Sequence, residues 1–198
     1  MFVIGLKLVD VAGMRDVWRL SHDEFWVAAA TAAVVVGVGV EQGIVLAAVL
    51  SLILHVRRHY TPADRVVTWD AAGRLVLQPA LPGTVTERGL VIYRFAVGVF
   101  YANSARLAEE VLGLVDVPDP PRWFVLQADA IDDVDYTGGQ TLLEVADELA
   151  ARGVVFAVAG ASDPVRRQLD RFGLTAKIGA ARYFDTPAAA RDAFHRAA

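Results

Sequence analysis

Between Phe25 and Val56 the chain is apolar or glycine at every position except Thr31, Glu41, Gln42, Ser51 and His55. As one straight helix these residues would be roughly 48 Å long at about 1.5 Å per residue, against a bilayer hydrocarbon core of about 30 Å. Glu41 and Gln42 fall in the middle of the run, with Gly37, Gly39 and Gly43 around them. A carboxylate at mid-bilayer on one helix is costly, so the pattern predicts a hairpin instead: helices over about 25–40 and 43–56, with a turn at 40–43. Each arm is shorter than an ordinary span, so one side of the pair is expected to pack on protein. Gly39 and Gly43 have the small-xxx-small spacing that lets helices approach closely, although a turn needs the same glycines.

On either side of that run the character changes. Met14–Glu24 places Val17, Trp18 and Leu20 among charges and predicts a short interfacial helix, with Ser21 and Glu24 as a capping box for the next one. Met1–Leu6 is apolar, but Lys7 and Asp10 interrupt it and no small-residue cleavage site follows, so it reads as the tail of a helix and not as a signal peptide. A truncated product or a misplaced start codon would each give such a beginning. Arg57, Arg58 and His59, with Arg65 shortly after, close the second helix and place that end on the cytoplasmic side. The chain is expected to divide at about residue 60, into a membrane segment and a soluble domain over 61–198.

Beyond residue 60, strand-like and helix-like periods alternate. Val66–Trp69 and Leu75–Leu77 predict two strands around the turn Asp70–Gly73, and Leu90–Phe95 a third. Asn103 or Ser104 can cap a helix that carries Leu107, Val111, Leu112 and Val115 on one face and ends before Pro118–Pro121. Trp123–Ala128 is apolar enough for a central strand. Thr137–Arg152 is helical, with Leu142, Leu143, Ala146, Leu149 and Ala150 inward, and Gly153 ends it. Val154–Ala159 is a further buried strand. Ser162 or Asp163 with Pro164 starts a helix through Phe172, followed by a short strand near Arg182–Phe184 and a last helix, Pro187–Arg196, capped by Thr186. This order predicts an α/β domain with a mixed, mainly parallel sheet and flanking helices. Its functional loops belong at the carboxyl ends of the strands, which selects Asp129–Gly139.

Composition narrows the function. Of 198 residues 55% are hydrophobic and mean hydropathy is +0.40, the excess lying before residue 60. Residues 61–198 carry 14 Lys/Arg and 18 Asp/Glu with no basic stripe, which argues against a nucleic-acid partner. Without cysteine there is no disulfide framework, thiolate zinc site or cysteine nucleophile. The four histidines are not grouped for a metal, and no catalytic triad can be assembled, so no enzyme and no cofactor are expected. The glycines at 37, 39 and 43 miss the dinucleotide fingerprint by one residue in the last gap.

Asp129-Ala-Ile-Asp-Asp-Val-Asp-Tyr-Thr-Gly-Gly139 resembles the signature loop of STAS domains, whose closing Asp, Ser/Thr and Gly positions match Asp135, Thr137 and Gly138. Pro79–Gly83 resembles the P-x-x-P-G turn of sulfate permease STAS domains, and Val99–Asn103 is similar to their F-x-A-N segment. Leu20–Tyr60 looks like their last short helices with the basic linker. The resemblance covers essentially the whole chain, in order, and is to the C-terminal part of a sulfate permease (SulP) anion transporter. It implies a regulatory and assembly portion without the transport site, in the inner (plasma) membrane with the STAS domain cytoplasmic. The partners it implies are lipid, a second copy or the remaining transporter core, and a protein bound through the STAS domain. Thr137 at a helix start is open to two readings: a phosphate site, by phosphorylation or a bound nucleotide as in anti-sigma-factor antagonists, or a simple helix cap. Asp129, Asp132, Asp133 and Asp135 make the loop acidic. They read as a solvated loop with one cap and not as a metal site, and Tyr136 beside them as packing.

Overall fold

The computed structural model describes residues 11–60 and 64–197, and the chain divides into two compact units, Met1–His59 and Tyr60–Ala198. The tail of a helix expected at Met1–Leu6 lies outside the described residues.

In the first unit, α1 (Val11–Leu20) is followed by α2 (His22–Gly37) and α3 (Val40–Tyr60). Ser21 caps α2, its hydroxyl accepting from the Glu24 amide at 3.4 Å, as the sequence motif requires. Trp18 packs edge-on against Phe25, their ring centroids 4.7 Å apart, and so closes the corner between α1 and α2. The hairpin turn is at Val38–Gly39, earlier than the expected 40–43. Glu41 and Gln42 consequently lie in the first turn of α3, where an acidic side chain suits the positive end of the helix. Helix α3 also runs on through Arg57 and Arg58 to Tyr60, because arginine is a good helix former and a basic cluster does not by itself end a helix. At Gly43 any side chain would run into Val35, so the glycine permits the close approach of the two helices at their turn. No helix among the described residues is long and apolar enough to cross a membrane. Many apolar side chains of the hairpin are nevertheless exposed, among them Val36, Ile44, Val45 and Leu52.

The second unit is a six-stranded sheet in the order β2-β1-β3-β4-β5-β6. Its strands are β1 (Arg65–Trp69), β2 (Leu75–Pro79), β3 (Leu90–Arg94), β4 (Trp123–Gln127), β5 (Val155–Ala159) and β6 (Tyr183–Phe184). Strand β1 pairs antiparallel with both β2 and β3, and β3 to β6 are parallel. This is the mixed, mainly parallel sheet the alternation predicts. The helices are α4 (Tyr101–Val115), α5 (Tyr136–Ala151), α6 (Asp163–Phe172), α7 (Leu174–Ile178) and α8 (Pro187–Ala197).

Alternate residues of the central strands are buried on opposite faces, which explains why the strands read as continuous apolar runs. Val91, Tyr93, Phe124, Leu126 and Val158 pack beneath α4, α5 and α6 through Leu107, Val111, Leu142, Leu149 and Leu169. Leu90, Ile92, Trp123 and Val125 face the other way and are covered by Ala190 and Phe194 of α8. Edge strand β2 is exposed along its whole length. Three expectations need correction. Helix α4 begins at Tyr101, so neither Asn103 nor Ser104 is its cap. Asn103 acts from the third helical position, its Oδ1 accepting from the Phe100 amide at 2.9 Å while its Nδ2 donates to Gly98 O at 2.9 Å. On α5 Val145 is buried with Leu142, Ala146 and Leu149, whereas Ala150 is exposed, because the buried stripe follows 3.6 residues per turn from Leu142. The short α7 was not legible, since Gly173 reads as a terminator; it ends α6 in the left-handed conformation and α7 restarts at once.

Candidate functional site

The loop Asp129–Gly139 lies beyond the carboxyl end of β4, where parallel sheets place their binding loops. Its shape is fixed by backbone pairing with the segment that enters α4. The Val99 amide donates to Asp133 O and the Asp135 amide to Val99 O, each at 3.0 Å. That bridge brings the N-termini of α4 and α5 together. Asp135 serves both: Oδ1 accepts from the Gly138 amide at 2.7 Å, and Oδ2 from the Tyr101 amide at 2.9 Å. One carboxylate thus satisfies an unpaired amide of each helix and meets the positive ends of two helix dipoles. Gly138 is required because a side chain there would run into the Val99 carbonyl, and Gly139 because one would run into the Phe172 ring.

Thr137 is not the helix cap. It occupies the second helical position, with Asp135 as the cap, and its half-buried hydroxyl makes no hydrogen bond among the described residues. Tyr136 and Tyr101, the first residues of the two converging helices, are 73% and 76% exposed, so the reading of Tyr136 as packing is overturned. A first-turn residue on the flank opposite the buried stripe has nothing to pack against.

Two further aspartates of the loop are separately engaged. Asp129 accepts from Arg94 Nε at 3.0 Å, and Asp133 accepts from the Gln168 side chain, whose Oε1 in turn takes the Val134 amide at 3.2 Å. No group of three His, Cys, Asp or Glu among the described residues could hold a metal. The arrangement offers no nucleophile and base pair. What it can do is present two exposed aromatic rings, an unbonded hydroxyl and an acidic rim to another molecule.

Sequence reading missed Asn103, Arg94 and Gln168 as supports of this loop, and a half-buried ionic cluster that joins Asp64 and Tyr93 to Arg106 and Glu110 of α4. Only the i,i+4 spacing of Arg106 and Glu110 could have signalled the cluster, since its other members are distant in sequence.

The STAS domain family model matches residues 82–190. Over 195 residues the chain is 34% identical to a probable sulfate transporter of Mycobacterium tuberculosis, covering 97% of this chain and 35% of that protein. It is 24% identical over 189 residues to a probable sulfate transporter of Arabidopsis thaliana, covering 89% of this chain and 28% of the relative. The chain therefore spans about a third of the length of the curated relatives it matches. In fold it is similar to the murine Solute Carrier 26 family member A9 anion transporter in its inward-facing state, with TM-score 0.80, 14% identity, and coverage of 97% of this chain and 31% of that one. A sulfate transporter family protein from Wolinella succinogenes matches with TM-score 0.50 and 26% identity, covering 57% of this chain and 90% of its own. Asp135, Thr137 and Gly138 lie within the family match, at the convergence of α4 and α5. The chain belongs to the STAS domain family and is homologous, over nearly all its length, to the sulfate transporters of the SulP type.

Proposed function

We propose that this chain is the membrane-anchored regulatory and assembly end of a secondary anion transporter of the sulfate permease type. Its STAS domain is cytoplasmic, at the inner (plasma) membrane, and the hairpin seats the domain there without itself forming a transport site. The observation that carries the reading is the apolar surface of the hairpin. Val36 is 89% exposed, and the Thr31 hydroxyl is buried without a hydrogen-bond partner among the described residues. Such a surface calls for lipid or further protein against it. A hairpin that rests partly on a transporter core covers the exposed valines. The STAS domain then serves assembly with the core or with a second copy.

Expressed alone, the chain is expected to sediment with membranes, to resist extraction by high salt, and to give proteoliposomes no sulfate uptake above empty vesicles. Release by salt, or uptake by the chain alone, would overturn the reading.

A second reading is a tethered switch that answers to phosphorylation or a nucleotide at Thr137. It is favoured by the unbonded hydroxyl in the first turn of α5. Phosphopeptide mass spectrometry and nucleotide titration, each comparing Thr137→Ala with the parent chain, decide it; no modification and no binding leave the assembly role alone.

A further inference from the structure

Asp64 immediately precedes β1 and lies almost wholly buried beside α4. Its Oδ1 accepts from the Ala96 amide at 3.2 Å, while its Oδ2 stands 3.2 Å from Arg106 Nη2 and accepts no hydrogen bond among the described residues. Arg106 also pairs with Glu110, Nε to Oε1 at 2.7 Å, and Glu110 Oε2 accepts the Tyr93 hydroxyl proton at 2.7 Å. Glu110 thus stands on the same guanidinium as the Asp64 carboxyl. Among the described residues, the charged and titratable groups facing Asp64 are therefore Arg106 and Glu110 from α4 and Tyr93 from β3, with Arg65 next to it in the chain. Burial pushes the Tyr93 hydroxyl far up, so it stays a neutral donor. Two carboxylates then share one guanidinium, Asp64 buried and Arg106 and Glu110 half-buried, and the excess negative charge has one economical remedy. A proton on the Asp64 carboxyl removes one of the two negative charges and leaves Arg106 balanced by the Glu110 carboxylate.

We propose that Asp64, set against Glu110 across Arg106, is a proton-binding carboxyl that fastens the start of β1 to the sheet more tightly in mild acid than at neutral pH. The attachment at the strand start is short: β1 is registered with β3 at Arg65–Arg94 and Val66–Tyr93, and beyond these the Thr86 hydroxyl joins them by donating to Val67 O and accepting from the Ile92 amide, each at 2.7 Å. Burial first, and then the negative charge of Glu110, push the Asp64 carboxyl up from 3.8 to about 6, with the Ala96 amide and Arg106 pulling the other way. A carboxyl whose pKa is raised on folding holds extra protons in the folded state. Its stabilisation is present in acid and is lost as pH rises through about 6. Above that, the ionised, desolvated Asp64 gains by reaching water, and opening of the strand start becomes more frequent.

The test is amide hydrogen exchange on the full chain in detergent micelles, read as protection factors over residues 65–68 after correction for intrinsic exchange rates. Protection is expected to be about tenfold higher at about pH 5 than at about pH 7.5, and Asp64→Asn, which mimics the protonated carboxyl, is expected to show the acid-state protection at both. Equal protection at the two pH values, or a pH dependence that survives in Asp64→Asn, overturns the proposal. If Asp64→Asn fails to fold, a carbon-13 titration of the Asp64 carboxyl in the parent chain decides: a midpoint above about 5 supports it, and one at or below that value overturns it.

Discussion

The Asp135 carboxylate accepts the backbone amide of Tyr101, 34 residues earlier in the chain, at 2.9 Å while it caps its own helix through the Gly138 amide at 2.7 Å. One side chain therefore locks the starts of α4 and α5 to each other. A local cap has become a tertiary tie.

Replacing Asp135 should expose that double role. Asp135→Ala is expected to cost about 2–4 kcal/mol, more than an ordinary helix cap, because two charge-assisted bonds are lost together. Asp135→Asn, with one amide oxygen for two donors, should retain about half. Chemical denaturation of the full chain, followed by the near-ultraviolet signal of Trp69 and Trp123, measures both.

The glycines separate close approach from propensity. Gly138→Ala drives a methyl into the Val99 carbonyl and is expected to cost about 2–3 kcal/mol or more, although its backbone is ordinary helix. Gly113→Ala on α4 meets nothing within 4 Å and should stabilise by about 0.5–1 kcal/mol, the usual gain of alanine over glycine inside a helix. Opposite shifts in melting temperature are the expected result.

Thr137 contributes nothing to folding through its hydroxyl. Thr137→Ala should leave stability within about 0.5 kcal/mol of the parent, because no bond is lost and α5 keeps its Asp135 cap. The same variant can then serve the phosphorylation and nucleotide experiments without a folding artefact. A loss of several degrees in melting temperature would contradict this account of the site.

Asp70 and Asp64 are expected to give opposite pH dependences. Hydrogen bonds from the Arg74 amide and side chain, and from the Ala72 amide, hold the half-buried Asp70 carboxyl below its usual range. Its help to the β1–β2 turn is present near neutrality and lost as pH falls through the lowered titration, whereas that of Asp64 is lost as pH rises through about 6. Thermal unfolding of Asp70→Asn and the parent chain should therefore differ at about pH 5 and converge towards about pH 3.

The elements of the STAS domain were legible because each signal is local. Trp123–Gln127 reads as a central strand since both its faces must be apolar, and Thr186 caps α8 just as a Thr ahead of Pro187 suggests, accepting from the Ala189 amide at 3.1 Å. The Ser21 cap and the hairpin itself were legible for the same reason, whereas the turn fell at Val38–Gly39 because the sequence offered three glycines to choose from. Thr137 was misplaced by two residues as a candidate cap, since Thr and Asp are both good caps and only the position of Tyr101 decides between them.

The sequence by itself determined the helical hairpin, the strand and helix order, and the acidic loop ending in Asp135, Thr137 and Gly138. Periodicity, turn residues and a motif lie along the chain, and each acts over a few residues. Only the tertiary structure decided that Asp135 serves two helices, that Tyr101 and Tyr136 stand exposed side by side in role, and that Asp64 meets Arg106 and Glu110 in a half-buried cluster. Those relationships join residues tens of positions apart, and they exist because the sheet brings distant strand ends together, in an environment whose low dielectric gives a proton on Asp64 its weight.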